Sequence, residues 1–463
     1  MSTKSTGMID QFKESELQML FNNTRTENGD YSFKSSGNKL IDILFKGEYY
    51  TKHPLEVSIG KSNIEKLFAM FIRDPRFGLG YKTLGRRLMA MSGVTPQNVV
   101  KAGSFKDFRE CEDFYNGMFD IWQGFIRSEI EAGNELAKKW VPRYSSANLT
   151  LARKLAKAWG MNKQEYGHFV KCNTTENKLS RHNTDEIIFS QVPSLAMVKY
   201  YKRFANGADT AARFAKYIES VKKGEAKINV KVTNVYDLYR AAFKEGFDAD
   251  VFFDNMEKIS GSWIPIVDTS GSMYDGNDSA GKALAIAHYL GKCSTYCPGK
   301  VLSFSSHPQL ITLGDSSKTN PSYLSYYRNR MPQTTTQYGR EIMSMYTGDC
   351  SNTDFGAVMR VLSGLKNDFP EYLVVLSDMQ FDYGSAQSKD SLMKSWRAKG
   401  INTKIVWWNF NSRGSVSFPE TDAYGNMFLS GYNPMLLKFL EAGFNAEQFL
   451  MKLLSEYAKA ITD

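Results

Sequence analysis

The sequence predicts a multidomain protein in which an all-α helical-repeat domain precedes an α/β domain with a mostly parallel sheet. Three observations carry this. The chain has 463 residues, too many for one typical core. From about Lys39 to residue 255, apolar side chains recur at spacings of three and four. From about residue 262 the texture changes to short apolar runs alternating with helical segments. The boundaries read from these changes are 1–35 for a polar, flexible arm, 36–260 for the helical domain and 261–463 for the α/β domain.

In the helical part the expected helices include Ser62 to Phe71, Leu84 to Met91, Phe114 to Ile130 and Leu149 to Trp159. Ser194 to Phe204, Ala208 to Val221 and Val235 to Glu245 continue the series, with Gly, Asn, Ser or Pro between them. Stacked helix pairs are the natural reading, and no strict repeat period emerges. In the α/β part the strands are Ile264 to Val267, Val301 to Phe304, Tyr372 to Leu376, Ile405 to Trp408 and Met427 to Leu429. Helices are expected at Ala280 to Cys297, Phe355 to Leu365, Ser388 to Lys399, Pro434 to Leu440 and Ala446 to Ala460. Residues 314 to 350 read as a long surface excursion.

Composition excludes several classes. No apolar run spans a bilayer, and Met1 to Gln11 is polar without a cleavage pattern, so a cytoplasmic protein with no membrane partner is expected. Cys111, Cys172, Cys293, Cys297 and Cys350 are scattered and odd in number, which argues against a disulfide framework. Five histidines, none at ligand spacing beside the cysteines, argue against zinc. Residues 1–260 hold 40 Lys and Arg against 31 Asp and Glu, whereas 261–463 hold 18 against 18, so the whole net charge of +9 lies in the first part. An excess confined to one domain suggests an acidic partner, with nucleic acid first, although a solvated basic face gives the same count.

The first strand runs into Asp268-Thr-Ser270-Gly-Ser272, which brings one carboxylate and two hydroxyls into a tight turn. A second strand ends in Ser377-Asp378. In an open α/β sheet, strand ends collect ligands, so Asp268 and Asp378 are expected to converge. Hard oxygen donors of this kind suit Mg²⁺ or another divalent cation. The competing reading is a helix cap and turn cluster with no metal. Neither Ser270 nor Ser272 has a neighbouring histidine or a nucleophile-elbow pattern, so an enzyme is not expected.

Cations among aromatics mark the helical part. Arg73-Asp-Pro-Arg76-Phe-Gly-Leu-Gly80-Tyr-Lys82-Thr-Leu-Gly-Arg86-Arg87 joins five cations to a glycine-rich link. Arg153, Lys154, Lys157, Lys202 and Arg203 follow in later stretches. On charge these ten residues are the candidate RNA contacts, with solvated helix faces as the bland alternative.

The Asp268, Ser270, Ser272, Thr353 and Asp378 set resembles the metal ion-dependent adhesion site of von Willebrand factor A domains. That resemblance implies a Rossmann-like domain whose first four donors meet the ion directly or through water, with Asp378 acting mainly through water and an acidic protein partner at the open position. The order of parts resembles the TROVE family of Ro-like ribonucleoprotein components. The carrying segments are Ile72 to Arg87, Lys139-Trp140-Val-Pro142, Val192 to Met197, Gly224 to Asn229, Val374 to Phe381 and Val406 to Asn409. It implies a HEAT-like ring of helices, structured RNA and single-stranded RNA ends as ligands, and a role in RNA processing or surveillance. The rival expectation is a structural or assembly scaffold with metal-bridged protein contacts and no nucleic acid. A partnership with a separate ATPase is a third.

Overall fold

A computed structural model describes residues 23–25, 31–33, 38–45, 50–51, 56–180, 183–230, 234–274, 278–305, 307–319, 336–347, 355–363, 369–378, 393–410, 425–430 and 446–462. The chain divides into two compact units. One holds residues 37–192, 208–212 and 447–463, and the other holds 1–36, 193–207 and 213–446.

The helical unit begins with α1 (Lys39–Phe45), α2 (Asn63–Arg73), α3 (Lys82–Ser92), α4 (Pro96–Ala102), α5 (Lys106–Glu110) and α6 (Glu112–Gly117). It continues through α7 (Phe119–Glu131), α8 (Glu135–Trp140), α9 (Leu149–Ala158), α10 (Lys163–Phe169) and α11 (Thr175–Ser180). Local chemistry sets several starts. Ser62 and Glu65 form a reciprocal capping box on α2, and Asn162 with Glu165 repeats it on α10. The single helix expected over Phe114 to Ile130 is broken at Met118 into α6 and α7.

The α/β unit carries α12 (Ser194–Asn206), most of α13 (Ala211–Lys222), α14 (Val235–Ala242), α15 (Ala249–Asp254), α16 (Ser279–Cys293), α17 (Gln337–Ser344) and α18 (Phe355–Ser363). It also carries a short antiparallel pair, β1 (Asn23–Arg25) and β2 (Tyr31–Phe33), inside the expected arm. Its sheet is built from β3 (Trp263–Asp268), β4 (Lys300–Phe304), β5 (Leu310–Thr312), β6 (Tyr372–Ser377), β7 (Lys404–Asn409) and β8 (Met427–Ser430), in the order β5-β4-β3-β6-β7-β8. All neighbours are parallel except β4 and β5. β3 and β6 are buried along their whole length, as expected where both sheet faces are covered. On one face Ile264, Ile266, Leu302, Phe304, Leu373, Val375, Ile405 and Trp407 pack with Val358, Met359 and Leu362 of α18, and with Met393 and Trp396 of the helical stretch 393–398. On the other, Trp263 donates to the Leu290 carbonyl of α16 at 2.8 Å.

The compact units do not follow the sequence boundary at residue 260. Helices α14 and α15 are tied to the α/β unit, because Tyr239 and Tyr346 share a buried hydroxyl pair at 3.1 Å and Asp250 caps α17 through the amides of Gln337 and Tyr338. The last helix, α19 (Ala446–Thr462), belongs almost entirely to the helical unit. There the Tyr457 ring meets Phe71 edge-on at 5.5 Å and its hydroxyl donates to Asp74. A helix that follows the last strand in sequence therefore contributes to the other core. The five strand expectations hold, with β5 an unexpected antiparallel edge. The surface excursion contains α17, while 320–335 and the helix expected over Pro434 to Leu440 lie outside the described residues. Among the described residues no helix is long and apolar enough to cross a membrane.

Candidate metal centre and basic surfaces

The sheet changes direction between β3 and β6, since β4 leaves on one side of β3 and β6 returns on the other. In open α/β sheets such a switch point is where ligands collect, at the carboxyl ends of the strands. The register pairs Val267 with Leu376, so Asp268 and Ser377 come next to each other, and the Ser377 hydroxyl donates to Asp268 Oδ2 at 2.5 Å. Beyond β3 the chain turns into a short 3-10 segment, Gly271–Tyr274. In that turn the Ser270 amide donates to Asp268 Oδ1 at 2.9 Å, and the Ser270 and Ser272 hydroxyls lie 3.1 Å apart. Asp268 and Asp378 are both buried, at 2% and 5% exposure.

Electrostatics set Asp268 apart from an ordinary capping carboxylate. Burial, joined by the negative charge of Asp378, outweighs the hydrogen bonds to Asp268 and pushes its carboxyl up to about 6. A cation at this edge would offset that cost. The donors are two carboxylates and two serine hydroxyls, which fit Mg²⁺. Among the described residues no group of three or more His, Cys, Asp and Glu side chains is placed to hold a metal, so any ion here would rest on the two aspartates and on hydroxyl donors. Thr353 and Cys350 lie outside the described residues. Ser377 was not among the expected site residues, although its place at the strand end beside Asp378 was the available signal.

The basic candidates divide into three groups. Arg73 is 4% exposed, and its guanidinium grips Asp107 at 2.8–3.1 Å through Nε and Nη2. Arg86 reaches the same carboxylate at 2.6 Å, and the Ser104 amide adds another donor at 2.9 Å. A carbon on Gly85 would come within 2.6 Å of Arg73 backbone and side-chain atoms, and one on Gly103 would meet Asp107 Oδ2 at 2.1 Å. These glycines serve close helix packing. The expectation of an RNA contact is thereby corrected for Arg73, which lies in the interior. Arg86 is largely covered, Arg87 is half-buried, and Arg76 pairs with Asp74 and donates to the Lys101 carbonyl.

The second group is open to solvent. Arg153, Lys154 and Lys157 project from the exposed side of α9, opposite buried Leu151, Ala152, Leu155 and Ala156, and Lys82 is exposed at the start of α3. Lys154 lies 4.1 Å from the centre of the Phe119 ring and donates to the Tyr115 carbonyl. The third group, Lys202 and half-buried Arg203, sits on α12 and so in the α/β unit, where Lys202 pairs with Glu245 at 2.6 Å.

Two family models match the chain. Residues 148–263 match one described as Domain of unknown function (DUF2828), and residues 262–459 match one described as Domain of unknown function (DUF7788). The chain is similar to the Uncharacterized protein L728 of Acanthamoeba polyphaga mimivirus, with 21% identity over 513 residues, covering 92% of this chain and 85% of that one. Among solved structures it is similar to the Deinococcus radiodurans RO (RSR) protein at 10% identity, with a TM-score of 0.35 over 96% of this chain and 99% of the other. The two family matches meet at residues 262–263, where β3 begins.

Proposed function

We propose that the protein is a non-enzymatic, Ro-like RNA-binding protein whose helical unit holds RNA and whose α/β unit, a von Willebrand A-like domain, uses Mg²⁺ to bind an acidic protein partner. RNA processing or surveillance is the role this implies. The observation that carries the reading is the contrast in surface chemistry. Oxygen donors stand at the sheet switch point, where the burial cost of Asp268 outweighs its hydrogen bonds, while a row of exposed cations lines α9. Asp268, Ser270, Ser272 and Asp378 would hold the ion, with Thr353 as the further donor that the motif implies. The ion would supply a positive centre for a carboxylate of the partner. In the helical part, HEAT-like stacking would present Arg153, Lys154, Lys157 and Lys82 to the phosphates.

Ion pairs favour the scaffold reading for one stretch: Lys202 with Glu245, Lys222 with Asp248 and Lys223 with Glu219 reduce the net charge it offers to phosphate. Labelled RNA with a stem and a single-stranded 3′ end, titrated at several salt concentrations, separates the readings. Salt-sensitive binding is expected, and Arg153→Glu/Lys157→Glu should lower the salt slope by about 1.4 for single-stranded contacts. A wild-type protein that binds no RNA at low salt removes the Ro-like reading. For the metal, Mg²⁺ at about a hundred times its Kd should stabilise the wild type by about 2.7 kcal/mol in thermal unfolding and leave Asp268→Ala unmoved.

A further inference from the structure

Seven tryptophans occur in the chain, and six of them, Trp122, Trp159, Trp263, Trp396, Trp407 and Trp408, are at most 5% exposed. Trp140, the last residue of α8, is the exception and is half-buried. It is also the indole that cations surround. Lys139 Nζ lies 5.1 Å from the ring centre, Lys106 Nζ 5.5 Å and the Arg109 guanidinium carbon 5.6 Å. Lys106 and Arg109 come from α5, so two helices build the cluster. Glu110 is the carboxylate that pairs with them, at 3.8 Å to Lys106 and 2.8 Å to Arg109. One turn before Trp140, Leu136 is 54% exposed and extends the apolar surface.

An indole kept partly open to solvent, with two ammonium groups and a guanidinium over its ring, has the chemistry of a stacking platform. A base that takes the place of a cation over the ring leaves that cation to meet its flanking phosphates. Resting on the RNA-binding reading above, we propose that Trp140, Lys106, Arg109 and Lys139 form a binding site for a single-stranded RNA segment, separate from the cations of α9. The site takes bases of any identity, because every base has a stacking face. Single-stranded RNA is favoured over a duplex because stacking needs an unpaired, splayed base.

The test uses the full chain and a short labelled oligouridylate at low salt, followed by anisotropy and by tryptophan emission. Wild-type binding should quench emission, since Trp140 is the indole within reach of ligand. Trp140→Leu should weaken binding about tenfold or more and abolish the quench, and Trp140→Phe should recover most of the affinity. Lys106→Glu/Lys139→Glu keeps the ring and guards against misfolding at position 140; it should weaken binding and reduce the salt slope by about 1.4. If the wild type binds but Trp140→Leu and Lys106→Glu/Lys139→Glu, both folded by circular dichroism, bind equally well, the site is overturned and the RNA reading stands. If the wild type binds no oligouridylate and no structured RNA, the RNA reading itself fails and the site falls with it.

Discussion

Glu341 and Asp268 are both buried carboxylates of the α/β unit, yet their surroundings drive them in opposite directions. Burial raises the carboxyl of Glu341, but His288 Nε2 at 2.7 Å and Lys292 Nζ at 2.8 Å prevail and hold it at about 2. Burial also raises Asp268, and there the partners are a serine hydroxyl and an amide, with Asp378 adding repulsion, so the carboxyl stays up at about 6. Asp107 in the helical unit resembles Glu341, being fully buried and met by two arginines. The difference separates a charge satisfied by cationic partners within the fold from one that meets only neutral donors and a like charge. Asp107 is met by two arginines and Glu341 by Lys292 and the His288 ring, whereas Asp268 carries a burial cost that its hydrogen bonds do not offset.

The largest expected effect tests the structural side of this contrast. Asp107→Asn leaves Arg73 buried without its counter-charge and should cost about 3–5 kcal/mol in urea unfolding. A loss below about 1 kcal/mol would show that the arginines are not held by Asp107 and would return Arg73 to the list of available cations. Asp268→Asn should behave in the opposite way: with metal chelated at neutral pH, it should be neutral or stabilising by up to about 3 kcal/mol. The sign follows from the raised carboxyl, because the folded state binds a proton more tightly than the unfolded one. Stability contributed by Asp268 therefore rises as pH falls through about 6 and is complete below the ordinary value of 3.8. Strong destabilisation of this variant would erase the distinction between the two carboxylates.

Glu341 supplies the matching pH test. Its lowered carboxyl contributes stability that is present above the ordinary value of 4.5 and lost as pH falls towards about 2. Unfolding free energies from urea titrations at pH 5 and pH 3 should decline less steeply in Glu341→Gln, by roughly 1–3 kcal/mol. Parallel declines in the two proteins would mean that Glu341 is not held down by His288 and Lys292. The smallest effect concerns a carboxylate answered by amides. Asp250→Ala removes the acceptor of two first-turn amides of α17 while Thr336 still caps Gly339, and should cost about 0.5–2 kcal/mol, with faster amide exchange at Gln337 and Tyr338 as the local signature.

Much of the α/β unit was legible because its signals are local. Apolar runs such as Tyr372 to Leu376 are dense enough to be strands, and polar residues that follow them must emerge at the sheet edge. Asp268 and Asp378 were therefore placed together on sequence grounds, and parallel pairing of β3 with β6 brings their strand ends side by side. Arginines on helices are different. Arg73 and Arg86 lie 34 and 21 residues from Asp107, and no periodicity announces that pairing. Trp140 lies in a segment that carries the family resemblance, but the partial exposure of its ring cannot be read from the sequence.

By itself the amino-acid sequence determined the succession of helices and strands, the switch of texture near residue 262, the oxygen donors at the strand ends and the confinement of net charge to the first part. These follow from side-chain periodicity and from the alternation of the strand, which act over a few residues. Tertiary structure alone decided which cations are free. It buried Arg73 against Asp107, left Arg153 and Lys157 in solvent, gathered three cations around Trp140 and returned α19 to the helical core through Tyr457. A buried charge is stable only with a partner at hydrogen-bond distance, and that distance is set by packing between elements far apart in the chain.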